Sequence, residues 1–189
     1  MIETLLPAIL LGKMKRLKMR YLFTTWSFYP ILIAQCLLLA LQICVFNNIY
    51  SLIYLAPVVK TSLMLVFLFP MFVFKLYKPA LVGAGFVVSG TMLNQFVMAQ
   101  NGGKMPVFPS FSYLTGYVRP YTFQSVRDIH ILGNSFTHFK FLTDYIDVGY
   151  SILSPGDLLI HFFVFLMFYY MIKAVNRSHN SVIMKLKDD

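Results

Sequence analysis

Long apolar runs, each closed by basic or turn-forming residues, set the pattern of this chain. The first covers Ile2 to Leu11, interrupted by Glu3 and Thr4, and ends at Gly12 before Lys13, Lys15, Arg16, Lys18 and Arg20. Its charges follow the apolar stretch, whereas a secretory signal carries them in front. A helix from Met1 to about Leu17 would be about 25 Å long, just enough to cross a thin bilayer with its lysines snorkelling. A re-entrant or interfacial helix is the alternative.

The run from Tyr21 to Phe46 is long enough to span, with Trp26 and Tyr29 near its basic end as interface residues, and Asn47 and Asn48 turn the chain. A third run reaches from Ile49 to Phe74 and is interrupted by Pro57 and Lys60. A crossing that begins only after Lys60 is cheaper than one with a lysine at the bilayer centre. Lys75, Lys78 and Pro79 close it, and Ala80 to Ala99 forms the next span. There Ala80 with Ala84, and Gly85 with Ser89, suggest a face that a neighbouring helix approaches closely. Asn94 and Gln95 near the end call for polar partners or water.

Residues 100–156 form the one long stretch without a span. Gly, Pro, Asn and Ser cluster early in it. Later, helical periodicity from Phe136 to Asp147 sets Phe139, Phe141, Leu142, Tyr145 and Ile146 against Lys140, Thr143, Asp144 and Asp147. This predicts an amphipathic helix over about 135–147, with His138 within its apolar side and Lys140 paired to Asp144 one turn on. Ser154-Pro155-Gly156-Asp157 then starts a helix, with Ser154 as N-cap, Pro155 first and Asp157 third, beside the free amides and the positive dipole end. That last span is expected to run to about Ile172, before a polar tail with Lys173, Arg177, Lys185 and Lys187.

Composition agrees with lipid as the solvent: 58% of the 189 residues are hydrophobic, 17% aromatic and only 12% charged, and the mean hydropathy is +0.69. The sixteen Lys and Arg against seven Asp and Glu flank the apolar runs instead of forming one patch, which argues against nucleic acid. With the Lys13–Arg20 cluster inside, that side collects eleven basic residues: five there, then Lys75 and Lys78, then four in the tail. The long loop has four, Lys104, Arg119, Arg127 and Lys140, set against Asp128, Asp144, Asp147 and Asp157. The expected orientation has the N-terminus and the loop 100–156 outside and the C-terminus cytoplasmic.

The chemistry-bearing residues are few. Cys36 and Cys44 lie about 12 Å apart on one helix and cannot bridge; they read as buried free thiols, and no metal-ligand or cofactor spacing accompanies them. Asn101-Gly102-Gly103 permits positive φ and exposed amides, so with Lys104 it could hold a phosphate, a carboxylate or a lipid headgroup. The competing reading is a tight exit turn. His138, Asp157 and His161, with His130, Asn94, Asp144 and Asp147, all fall in the outer half under the expected orientation and could form a metal or acid–base site. Asp157 and His161 are one turn apart, but Asp157 already serves as a cap. No serine elbow, H-E-x-x-H, phosphate-binding loop or cysteine nucleophile pattern occurs.

Asn101 to Val107 reads N-G-G-K-M-P-V. With Asn94, the Ile2-Glu3 start, Leu11-Gly12 and the run from His138 through Thr143-Asp144 to Ser154-x-Gly156-Asp157-Leu158-Leu159-Ile160, it resembles an uncharacterised family of small bacterial membrane proteins, a domain of unknown function. Where that family has Leu-Gly-Asp, this chain has Leu142-Thr143-Asp144. The resemblance implies a multi-pass protein of the bacterial cytoplasmic membrane with a motif-bearing outer loop, and it brings no activity.

The expected fold is therefore one all-α integral membrane domain over residues 1–189, with about five spans, or four plus a re-entrant N-terminal helix, and a structured outer loop. Three functions fit. One is a non-enzymatic accessory or binding component, without cofactor or metal, whose loop contacts a membrane protein partner, a further copy or a small anionic ligand through Asn94, Asn101, Gly102, Gly103, Lys104, Met105 and Pro106. Another is a membrane-embedded hydrolase or transferase using His138, Asp157 and His161. A small transporter is the third, and the scarcity of intramembrane charge counts against it.

Overall fold

The computed structural model describes residues 2–47, 49, 51–119 and 129–188, and excludes the side chains of residues 2, 53 and 182–188. Asn48 and Arg127 with Asp128 lie outside the described residues. Helix dominates: α1 (Ile2–Met14), α2 (Tyr29–Phe46), α3 (Ala56–Leu65), α4 (Leu68–Val73), α5 (Tyr77–Gln100), α6 (Phe111–Thr115) and α7 (Pro155–Asp188). Short strands β1 (Met105–Val107), β2 (His130–Leu132), β3 (Ile146–Asp147) and β4 (Ile152–Leu153) lie between α5 and α7.

Four helical stretches are long and apolar enough to cross a bilayer: Trp26–Phe46, Ala56–Val73, Tyr77–Gln100 and Pro155–Ser181. The chain is an all-α membrane protein. Helix α1, at 13 residues, is roughly 20 Å long, shorter than the usual hydrocarbon thickness. The second span is two helices because Pro70 has no amide to offer the Val66 carbonyl, and the ladder breaks between Leu65 and Leu68. Lys60 is exposed on the second turn of α3, close enough to the span's end to snorkel. The last helix does not stop near Ile172 but continues for 34 residues through the basic tail. Nothing breaks it: Lys173 to Asp188 contains neither Gly nor Pro.

The chain divides into two compact units, to both of which α2, α5 and α7 contribute. The first comprises residues 1–39, 55–84 and 161–189. Its core joins Ala8 of α1, Phe28, Ile31 of α2, Leu63, Phe67, and Val164, Met167, Phe168, Met171 and Ile172 of α7. Rings interlock there: Phe28 stacks on Phe168 at 6.2 Å and Phe67 meets Phe163 edge-on at 5.9 Å. Asn176 on α7 donates from its amide to the Lys18 carbonyl at 3.2 Å and accepts from the Lys18 amide at 2.8 Å. Tyr21 stacks on His179 at 3.7 Å.

The second unit comprises residues 40–54 and 85–160. In it β1 is the middle of three extended segments. It pairs in parallel with β2, Met105 opposite His130, and bridges on its other side to Asp144 through Val107. Strands β3 and β4 form an antiparallel pair with Ile146 opposite Leu153. Gln42 on α2 donates to the Tyr150 carbonyl at 2.7 Å.

Three sequence expectations differ from this fold: the close-approach face of α5, the helix over 135–147, and the burial of Cys36. The close-approach face of α5 is Gly83 and Gly90, both buried, not Ala84, Gly85 and Ser89, which are exposed. A Cβ at Gly83 would sit 2.6 Å from the Phe163 ring, and one at Gly90 would strike the Gly156 carbonyl. The helix expected over 135–147 does not form. A single 3₁₀ turn at Lys140–Leu142 remains, because the Asp144 amide donates to Pro106 and its carbonyl accepts from Phe108. Backbone groups taken by β1 are lost to a helical ladder. Cys36 is exposed on α2, and both thiols are free.

Candidate functional site

The motif begins where α5 ends. Gly102 and Gly103 adopt positive φ of 65° and 77°, and the Gly103 amide returns to the Met98 carbonyl at 2.8 Å, which satisfies a carbonyl of the last helical turn. The Lys104 amide donates to the Asn101 carbonyl at 3.2 Å. Amides of this turn are therefore engaged in ending the helix. Lys104 is exposed, and the chain then dives inward: Met105, Pro106 and Val107 are all buried in β1.

Asn101 turns to a distant segment. Its side-chain amide donates to the Val97 carbonyl at 2.9 Å and to the His138 carbonyl at 3.1 Å, while its oxygen accepts from the His138 amide at 3.0 Å. One asparagine thereby replaces two strand-like hydrogen bonds. The His138 side chain itself is exposed.

Asn94 and Asp157 meet across the start of α7. Asn94 Nδ2 donates to Asp157 Oδ1 at 2.9 Å, and the Ser154 hydroxyl donates to Asn94 Oδ1 at 2.8 Å. Ser154 and Asp157 also form the reciprocal cap legible in their spacing: the Asp157 amide donates to Ser154 Oγ at 2.9 Å, and the Ser154 amide to Asp157 Oδ2 at 3.2 Å. Gly156 is required beneath Asn94, since a Cβ there would overlap the amide oxygen.

His161 has a different partner. Its Nδ1 lies 3.6 Å from Glu3 Oε1, and the residue is only 9% exposed. Each of the three residues expected to act together thus has its own neighbour: Asn101 for the His138 backbone, Asn94 and Ser154 for Asp157, Glu3 for His161. No group of three or more His, Cys, Asp or Glu side chains is placed to hold a metal among the described residues.

Two further carboxylates organise the segment between α5 and α7. Asp144, 3% exposed, lies 3.5 Å from His130 Nε2, and this replaces the expected pairing with Lys140. Asp147 Oδ2 accepts from the Ser110 amide at 2.7 Å and the Ser112 amide at 2.8 Å, while Oδ1 accepts from the Ser112 hydroxyl at 2.5 Å and the Gly149 amide at 2.8 Å. Burial alone would raise the Asp147 carboxyl, but those donors outweigh it and hold it below the usual carboxylate range. Thr115 additionally donates to the Gly149 carbonyl.

Sequence reasoning missed Glu3 as the partner of His161 and Asn176 as the partner of Lys18. Glu3 carried the only local signal, an acid within an apolar run. A family model described as a family of unknown function, DUF5317, matches residues 20–169. No curated protein and no solved structure matches the chain.

Proposed function

The chain belongs to DUF5317, a family of unknown function, and on that premise we propose that it is a non-enzymatic component of a bacterial cytoplasmic membrane. Its segment between α5 and α7 contacts an anionic group, carried by a partner protein or by a small ligand, with Lys104 as the charged contact. The observation that carries this reading is the division of labour within the motif. Asn101, Gly102 and Gly103 close the helix end, Met105 and Pro106 are buried in β1, and Lys104 between them is exposed.

Alternation supports an orientation. If the four candidate spans alternate, Lys13 to Arg20, Lys75 and Lys78 share one side, and Lys104 falls on the other. Basic flanks stay cytoplasmic, so the segment bearing Lys104 is outside. The hydrolase or transferase reading has less support, because Asp157 is taken up by Asn94 and the Ser154 cap, and His161 faces Glu3.

Purification of the tagged full chain in mild detergent, with mass spectrometry of co-purifying proteins and metal analysis of the same sample, tests the proposal. The expected result is a stoichiometric partner or bound anion whose yield falls with Lys104→Ala and falls further with Lys104→Glu, while His161→Ala retains it. A lone chain with one metal per molecule, or turnover abolished by His161→Ala in a folded protein, overturns it. Thiol labelling of Lys104→Cys and Lys18→Cys, in a Cys36→Ser, Cys44→Ser background, tests the orientation: reagent outside the cell is expected to reach the first and not the second.

A further inference from the structure

We propose that the segment 134–142 lies at the headgroup level of the leaflet in which helix α5 ends, with Phe136, Phe139 and Phe141 contacting lipid and Lys140 at anionic headgroups. The clasp of Asn101 on the His138 backbone ties this segment to the residue that follows Gln100, the last of α5. From there the chain folds back along the helix. The Phe139 ring meets Phe96 edge-on at 4.9 Å, and Phe96 precedes Gln100 by one turn, about 6 Å along the axis. Phe139 therefore lies beside the final turn of a membrane-crossing helix. It holds a left-handed φ of 52°, uncommon for a bulky residue, and its carbonyl accepts from the Leu142 amide at 2.8 Å.

The neighbouring aromatics extend the same surface. Phe136 is 86% exposed at a turn in which its own amide donates to Asn134 Oδ1 at 2.9 Å and the Asn134 amide donates to Thr137 Oγ1 at 3.0 Å. Phe141 is 66% exposed, and its ring lies 6.4 Å from that of Phe139. Rings presented to water by an ordered turn lack the burial that makes such side chains stabilising. At the acyl–headgroup boundary they would have it, as aromatic belts do.

Charge selects the lipid. From Ile129 to Leu142 the chain contains no Asp or Glu, and Lys140 stands between Phe139 and Phe141. Basic side chains at that level attract anionic headgroups. The surface is also continuous with α5 through Phe96, which is itself exposed. This inference needs only that α5 crosses the bilayer, and it stands apart from what Lys104 contacts.

The chain has one tryptophan, so Trp26→Phe gives a silent background into which Phe136→Trp or Phe141→Trp is placed singly. Both target positions are exposed, so neither substitution removes core packing. The full chain is reconstituted at low density in vesicles of phosphatidylcholine and phosphatidylglycerol. Emission from both variants is expected to lose intensity to lipids brominated near the headgroup, to resist acrylamide, and to shift to the blue relative to denatured protein. Emission open to acrylamide but not to bromolipid overturns the proposal, as does shielding from both quenchers, which would place a protein on the surface. The Lys140→Glu change is expected to weaken bromolipid quenching of the Phe141→Trp variant in anionic vesicles, and unchanged quenching overturns the role given to Lys140.

Discussion

Asn101 grips the backbone of His138, donating to its carbonyl at 3.1 Å and accepting from its amide at 3.0 Å. The residues are 37 apart in sequence, and the same two-way grip recurs between Asn176 and Lys18. In each case an asparagine, one just past the end of α5 and one within α7, secures a segment with no helical ladder of its own at that point. A carboxylate or an alanine cannot reproduce this, because the grip requires one donor and one acceptor on the same planar group.

Asn101→Ala is expected to destabilise the segment between α5 and α7 by about 1–3 kcal/mol, the range for stranding backbone partners. Hydrogen exchange read by mass spectrometry should show faster exchange around His138. Exchange at His138 left unchanged by Asn101→Ala would sink the assignment of Asn101 as a structural clasp.

Gly90 and Gly156 are predicted to be intolerant of side chains. Gly90→Leu drives carbon into the Gly156 carbonyl and the Leu159 side chain, and overpacking of this sort costs about 1–3 kcal/mol or more. Thermal unfolding in detergent should show a lower midpoint, whereas Gly85→Leu, where nothing lies within 4 Å, should leave it in place.

Acid should loosen the segment that Asp147 organises. Its carboxyl titrates below its unfolded value of about 3.9, because four donors outweigh burial. The stability it contributes is present above the unfolded value and is lost as pH falls through the folded one. Hydrogen exchange at Ser110 and Ser112 should accelerate on acidification below about pH 4 after correction for intrinsic rates, and Asp147→Asn should flatten that dependence.

Glu3 and His161 are predicted to be coupled. A double-mutant cycle with Glu3→Gln and His161→Gln should give an interaction energy of about 0.5–3 kcal/mol, the range for contacting residues. Additive changes would show that the 3.6 Å approach carries no interaction.

The spans were legible in the chain because lipid offers backbone groups no partners, so each crossing must satisfy its own amides within one contiguous apolar run. That is a local property, and residues 26–46, 77–100 and the start at Pro155 carry it in sequence. The Ser154 and Asp157 cap was legible for the same reason, since its partners are three residues apart. What only the tertiary structure decided was where non-local partners go. Apolar periodicity over 135–147 read as a helix, but β1 took the backbone of Asp144, and Asn101 took that of His138. The candidate chemistry divided likewise. Asp157 and His161 share a helix, yet Asn94 and Glu3, both remote in sequence, determine what each side chain faces. Spacing along one helix says which residues share a face, and packing says what that face meets.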